Sequence, residues 1–263
     1  MDFPVSEWLN LLVRWVHVFA GILWVGSTYY FTWLDRQLGR AAATSERGVW
    51  MVHSGGFYLV EKQKTLGVAP DKLHWFRFEA LITFLSGLLL LGIVYYGGGM
   101  LADEGSLSNG ALVGIGLAVI VVGWFAYDLL WTTSIGFVPG AVICYAAIVL
   151  LTFGLTRVMS GRAAYIHVGA LMGSIMALNV WVRILPVQRR LVAAMSTGAA
   201  TDPVLADRAK TRSKHNTFIV IPVVLIMISN HFPTATYGSA FNWQVLAVLV
   251  LVGWAAAKVL RDR

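Results

Sequence analysis

The chain has 263 residues, of which 58% are hydrophobic and 13% charged, with a formal net charge of +7 and a mean hydropathy of +0.71. A soluble domain of this length would carry roughly twice that charged fraction, so a water-soluble globular enzyme is excluded as the expectation. The single cysteine, Cys144, excludes an internal disulfide, a thiolate metal cluster and the Cys-x-x-Cys-His attachment of a covalent c-type haem.

Apolar runs recur near residues 8–34, 75–97, 111–132, 135–156, 163–186, 216–231 and 241–259. Crossing ~30 Å of hydrocarbon takes about 20 helical residues, so these runs predict seven transmembrane helices. They are continuous rather than alternating, which argues against a β-barrel. The sixth is the weakest, because Pro222 and the pair Asn230–His231 interrupt it. The predicted fold is therefore an all-α, polytopic membrane bundle forming one domain over 1–263, with a large loop at 35–74. The start, MDFPVSE, is acidic and the first run is too long for a signal peptide, so no cleaved leader is expected. Lys and Arg concentrate in 35–74, 187–215 and the C-terminus, whereas 98–110 and 232–240 contain none. The positive-inside rule then predicts an external N-terminus and a cytoplasmic C-terminus. Topology explains the basic charge, and no nucleic-acid partner is needed.

The first span, WLNLLVRWVHVFAGILWVGSTYYFTWL, carries Arg14 and His17. Such residues cost on the order of 3 kcal/mol in hydrocarbon and mark functional sites by default. His17 shares a helical face with Gly21 and Trp24, and His167 in the fifth span has Gly169 and Gly173 beside it. Two His residues among small neighbours predict a b-type haem between His17 and His167, with Arg14 on a propionate and His231 as substitute ligand. The competing reading is that small residues serve close helix packing.

In loop 35–74, two short apolar segments flank Ser54–Gly55–Gly56, predicting a hairpin or re-entrant loop. Its amides can form an anion-binding nest around Gly55 and Gly56, beside His53, Lys62 and Lys64. A basic loop lying on anionic lipid explains the lysines equally well. Farther along, Glu79, Thr83 and Ser86 share a face of the second span, Asp128 ends the third, and Asn179 and Arg183 lie one turn apart in the fifth. Buried charges at one depth should pair. They form either an ion-pair lock or a polar pocket for a planar substrate, with His53, Glu79 and Asp128 as candidate proton-handling groups. Gly55, Gly56, Lys62, Arg77, Asn179 and Arg183 are the candidate substrate-binding residues. The segment 187–215 reads as a linker with a short surface helix starting at Thr201–Asp202–Pro203, and His215 as interfacial.

The stretches RWVHVFAGILWVGSTYYFTWLD (14–35), GVWMVHSGGFYLVEKQK (48–64) and LHWFRFEALITFLSG (73–87) resemble the membrane domain of the PuuD-type, cytochrome c-linked bacterial urate oxidases. Past the first third of the chain, the resemblance rests on the span pattern and on ALNVWVRILPVQRR (177–190). It implies oxidation of urate to 5-hydroxyisourate in the bacterial inner membrane, with electrons passed to cytochrome c. Family members commonly carry a fused cytochrome c domain; this sequence stops at VLRDR without a Cys-x-x-Cys-His, so the expectation is a separate acceptor protein, or else a truncated or divergent member of the family. Span one also resembles membrane haem proteins of the HemJ-type protoporphyrinogen oxidase and CopD-like kinds. A non-redox permease is the third reading.

Overall fold

A computed structural model describes residues 4–44, 47–63, 72–103, 107–197, 199–200 and 202–262. Helix α1, Val5–Ala43, runs 39 residues without a break. At 1.5 Å per residue that is about 58 Å, nearly twice a hydrocarbon core. The first nine residues of the expected loop, 35–43, are thus helical. Part of the cause is local: LDRQLGRAAA is composed of good helix formers apart from Asp35 and Gly39. Only Ala20, Trp24, Leu34 and Ala41 of α1 are buried, so it is an edge helix, packed chiefly on α2.

Strands β1 (Val49–His53) and β2 (Gly56–Val60) pair antiparallel, with Val52 opposite Phe57 and His53 opposite Gly56. Ser54 and Gly55 form the two-residue turn with φ of 50° and 76°, the left-handed pair that matches strand twist in a tight hairpin. The hairpin alternative of the sequence is the one adopted.

Helix α2 (Phe78–Leu90) ends in a π-helical turn, Leu91–Tyr96. Helices α3 (Asn109–Leu130) and α4 (Phe137–Val158) follow. Helix α5 (Gly161–Leu178) passes through a second π-turn, Asn179–Ile184, into α6 (Leu185–Ser196) as one continuous rod. Helix α7 (Pro203–Ile228) is capped by Asp202, whose side chain accepts from the Val204 and Leu205 amides, and closes in a 3₁₀ turn to His231. Helix α8 is Asn242–Asp262. Among the described residues the only strands are the hairpin's, so the fold is all-α with one small β-appendage.

Helix α5 is the axle of the bundle, buried along most of its length and packed by α2, α3, α4 and α7. Around it Tyr165, Leu112, Met172, Ile226, Leu246 and Val250 form a core with almost no exposed surface. At Gly253, α8 presses onto α7, where an added Cβ would stand 2.8 Å from Pro222 Cδ. Among the described residues six helices are long and apolar enough to cross a membrane: α1, α2 with its π-turn, α3, α4, the α5–α6 rod and α8. The seventh expected run, 216–231, is instead the inner half of α7. Its N-terminal half carries Arg208, Lys210, Arg212 and Lys214, so the whole helix is too polar to stand as an apolar span.

The rods alternate in direction and collect unlike chemistry at their two ends. The hairpin, α6, the start of α7 and the end of α8 meet at one end, where Arg36 Nη1 donates to the Arg261 carbonyl at 2.7 Å. At the far end Arg162 Nε donates to Asn230 Oδ1 at 2.9 Å, and Ser160 N to Leu101 O at 2.9 Å.

Candidate functional site

Polar residues that sequence scatters over three helices meet where α3 ends, α5 enters its π-turn and α7 begins. Asp128 accepts from both Arg183 and Arg212. Arg183 Nε lies 2.8 Å from Oδ1, with a second bond from its Nη2 to Oδ2, and Arg212 Nη2 lies 2.8 Å from Oδ1. Arg212 is itself buried and stacks 4.9 Å from the Tyr127 ring centroid. Next to this triad runs a chain of neutral groups. Asn179 Nδ2 donates to Tyr127 Oη at 2.9 Å and to Asn216 Oδ1 at 3.0 Å, while Tyr127 Oη sits 2.7 Å from His215 Nδ1. The π-turn is the local cause: one widened turn lets the rod bring Asn179 and Arg183 to the same polar level, and such turns gather at functional sites. Three buried atoms of the cluster have no partner among the described residues: Asn179 Oδ1, Arg212 Nη1 and His215 Nε2. Buried polar groups are nearly always satisfied, so each asks for a ligand or water.

A polar cavity of about 820 Å³ opens beside the cluster at the hairpin end, within the roughly 300–1,000 Å³ usual for small-molecule sites. Trp24, Phe31, Trp75 and Phe76 give it flat aromatic walls. Lys210, Lys214 and Arg261 line it against Asp35 and Asp207, and Asn216 forms part of its lining. Asp35 is further engaged by Lys62 across from the hairpin. His74 also lines the cavity, its ring 4.5 Å from Phe76 between centroids. Desolvation, then the nearby Arg261 and Lys258 charges, hold the Lys214 ammonium below its usual range. Its Nζ rests 3.8 Å over the Phe137 ring, at the seam between this cavity and the interior.

The residues singled out by sequence divide into separate places. Asp128, Asn179 and Arg183 come together. Glu79 is half-buried in the first turn of α2 and makes no bond to that cluster among the described residues. His53, Gly55 and Gly56 sit at the hairpin tip, where His53 Nδ1 lies 3.1 Å from Ser54 Oγ in the open. Lys62 is committed to Asp35, and Arg77 precedes α2 with its guanidinium over Phe78. Lys64 and Thr201 lie outside the described residues. Sequence reading missed Tyr127, Arg212, His215 and Asn216. The one available signal was spacing: Arg212, His215 and Asn216 fall at helical intervals just before an apolar run, a pattern masked by the linker-like composition around them.

The pair expected to hold haem is arranged differently. His17 Nδ1 lies 2.9 Å from the Thr83 carbonyl oxygen and 3.1 Å from Ser86 Oγ, with Gly87 directly under the ring. His167 is fully buried, its Nδ1 2.7 Å from the Ala163 carbonyl and its Nε2 3.3 Å from Tyr96 Oη, with Gly116 against it. Among the described residues the two rings share no hydrogen-bond partner, and both nitrogens of His167 are occupied. Arg14 is exposed and donates to Asn10 Oδ1 at 3.0 Å, and His231 is exposed at the far end. The glycines make room for imidazole packing, and these residues do not fit an iron held between two imidazoles.

Compared with known proteins, residues 4–263 match the family model described as urate oxidase N-terminal. No curated protein and no solved structure matches the chain. The family match takes in nearly the whole sequence, and the chain belongs to that family.

Proposed function

We propose that this member of the urate oxidase N-terminal family is a membrane-embedded enzyme that oxidises urate to 5-hydroxyisourate, with the electrons passing in the end to a cytochrome c-type acceptor. The observation that supports it best is the pairing, in one cavity, of aromatic walls with cations and amide donors. Urate is a flat, anionic, hydrogen-bonding purine. Aromatic faces hold such a ring by stacking, and positive groups hold its charge. Six apolar rods support insertion in a bilayer, and the basic hairpin end supports a cytoplasmic cavity mouth.

In this reading Trp24 and Trp75 stack on the substrate, Arg261 and Lys210 neutralise it, and Asn216 orients it against the buried cluster. The reaction removes two electrons and two protons from urate and adds one water. His74, on the cavity wall, is the group placed to take a proton from that water. Asp128, paired to two guanidinium groups, holds the floor in shape. A haem on His17 is a separate proposal, which a visible spectrum of the purified protein decides.

The test is anaerobic turnover in detergent with ferricyanide as a one-electron acceptor. One urate consumed for every two ferricyanides reduced supports the reading, and N216L should raise KM about tenfold, equivalent to ~1.4 kcal/mol. A protein that consumes no urate with ferricyanide or with cytochrome c would overturn it.

A further inference from the structure

A second cavity, of about 770 Å³, lies in the apolar half of the bundle. Helices α3 and α4 are joined by a short turn yet make few contacts with each other, and they leave a slot floored by α5, α7 and α8. Its lining includes Val122 of α3 and Ile143 of α4, both exposed on the outside of the bundle. In a bilayer these positions face acyl chains, so the slot opens sideways to lipid rather than to water. It narrows at the hairpin end onto three rings: His215 lies 4.1 Å from Trp131 and 5.8 Å from Phe137 between centroids.

Nearly all the lining is apolar; its polar atoms belong to Tyr127, Cys144, His215 and the indole N–H groups of Trp131 and Trp254. His215 is only 5% exposed, lines the slot, and has no partner on Nε2. Its other nitrogen leads by three hydrogen bonds, through Tyr127 and Asn179, to Asn216 on the wall of the urate cavity. Acyl chains alone would satisfy the slot's walls and leave His215 Nε2 unpaired, at a cost of about 1–3 kcal/mol. An isoprenoid quinone satisfies both: its tail matches the slot, and a ring carbonyl accepts from the imidazole.

We infer that the α3–α4 slot is a quinone site, and that a membrane quinone bound at His215 is the first acceptor of the electrons removed from urate. This rests on the urate reading above. The sum is urate plus water plus quinone giving 5-hydroxyisourate plus quinol. The quinone gains two electrons and two protons, the number lost by urate and water together, and the Asn216–Asn179–Tyr127–His215 hydrogen bonds join the two sites. A cytochrome c-type protein then serves only as a later oxidant of the quinol.

The experiment uses the purified chain in nanodiscs with a short-chain ubiquinone, and ferricyanide in parallel. Two variants probe the slot. A147F fills it from α4, far from the urate cavity, and H215Q alters the head-group contact. The expected result is urate-driven quinone reduction that falls at least tenfold in both variants, while A147F keeps its ferricyanide-coupled urate oxidation. Ferricyanide turnover without quinone reduction, or quinone reduction unchanged in A147F, overturns the inference and leaves the urate reading standing. If no acceptor supports urate oxidation, the urate reading fails, and an azido-ubiquinone photolabel judges the slot by itself. Labelling of α3 and α4 peptides that A147F abolishes then supports a quinone site. Labelling indifferent to A147F, with only phospholipid in the protein's lipid extract, means an acyl chain only and overturns it.

Discussion

At the scale of single residues, Asp128 decides most. It is a carboxylate paired with two guanidinium groups, and Arg212 has only 6% of its side chain exposed. Removing one partner of a buried ionic group costs about 3–5 kcal/mol, because the charge left behind has no water to turn to. Asp128→Asn should therefore lower thermal stability in detergent by about that amount. Arg183→Met should lower it by ~1 kcal/mol, since Arg183 is 40% exposed at its side chain and solvent screens its loss. Lys214 gives the pH dependence. Its ammonium is held below the ordinary 10.5 by desolvation first and by Arg261 and Lys258 next, so in the folded protein it loses its proton before a free lysine would. The cavity then loses positive charge as pH rises through that lowered value, and KM for anionic urate should climb in the window just below 10.5. In K214M the KM should be raised throughout and flat across that window, as read from initial rates at saturating ferricyanide.

At the scale of elements, close approaches and turns set what tolerates change. Gly253 exists because α8 meets Pro222 of α7 there. Gly253→Leu should force the helices apart at a cost of about 1–3 kcal/mol, visible as a drop in the detergent melting temperature. By contrast Gly55→Val strains a left-handed turn position but touches only the hairpin. It should speed proteolytic cleavage between 47 and 63 while leaving the melting temperature of the bundle within a degree or so. Periodicity and run length made the helices and the hairpin legible in advance, because continuous apolar runs and a Ser-Gly turn between β-formers have few alternatives. Helix ends were less legible. The helical extension 35–43 leans on contacts that sequence does not show, Asp35 with Lys62 and Arg36 with the end of α8, and the polar first half of α7 carries no hydrophobic stripe to announce that Ala209, Arg212, His215 and Asn216 are buried. The same physics hid His215 and Asn216: a buried polar network leaves no amphipathic signature, since its partners lie on other helices. Asp128, Asn179 and Arg183 were readable because each interrupts an apolar run.

At the scale of the whole molecule, the two ends of the bundle divide the labour. The hairpin end gathers cations, aromatic plates and the mouth of a polar cavity. The interior behind it is an apolar slot reached through a hydrogen-bonded chain. The proposed sequence of events, urate entering from water and reducing equivalents leaving in lipid, requires the substrate to sit on the cavity wall formed by α1, the segment before α2, and α7. The measurement that tests this most directly is a structure determined by electron microscopy with urate bound under anaerobic conditions. The account predicts density for a planar ring against Trp24 and Trp75, within hydrogen-bond distance of Asn216. Density at the hairpin tip beside His53 and Gly55, with the cavity holding only water, would contradict it.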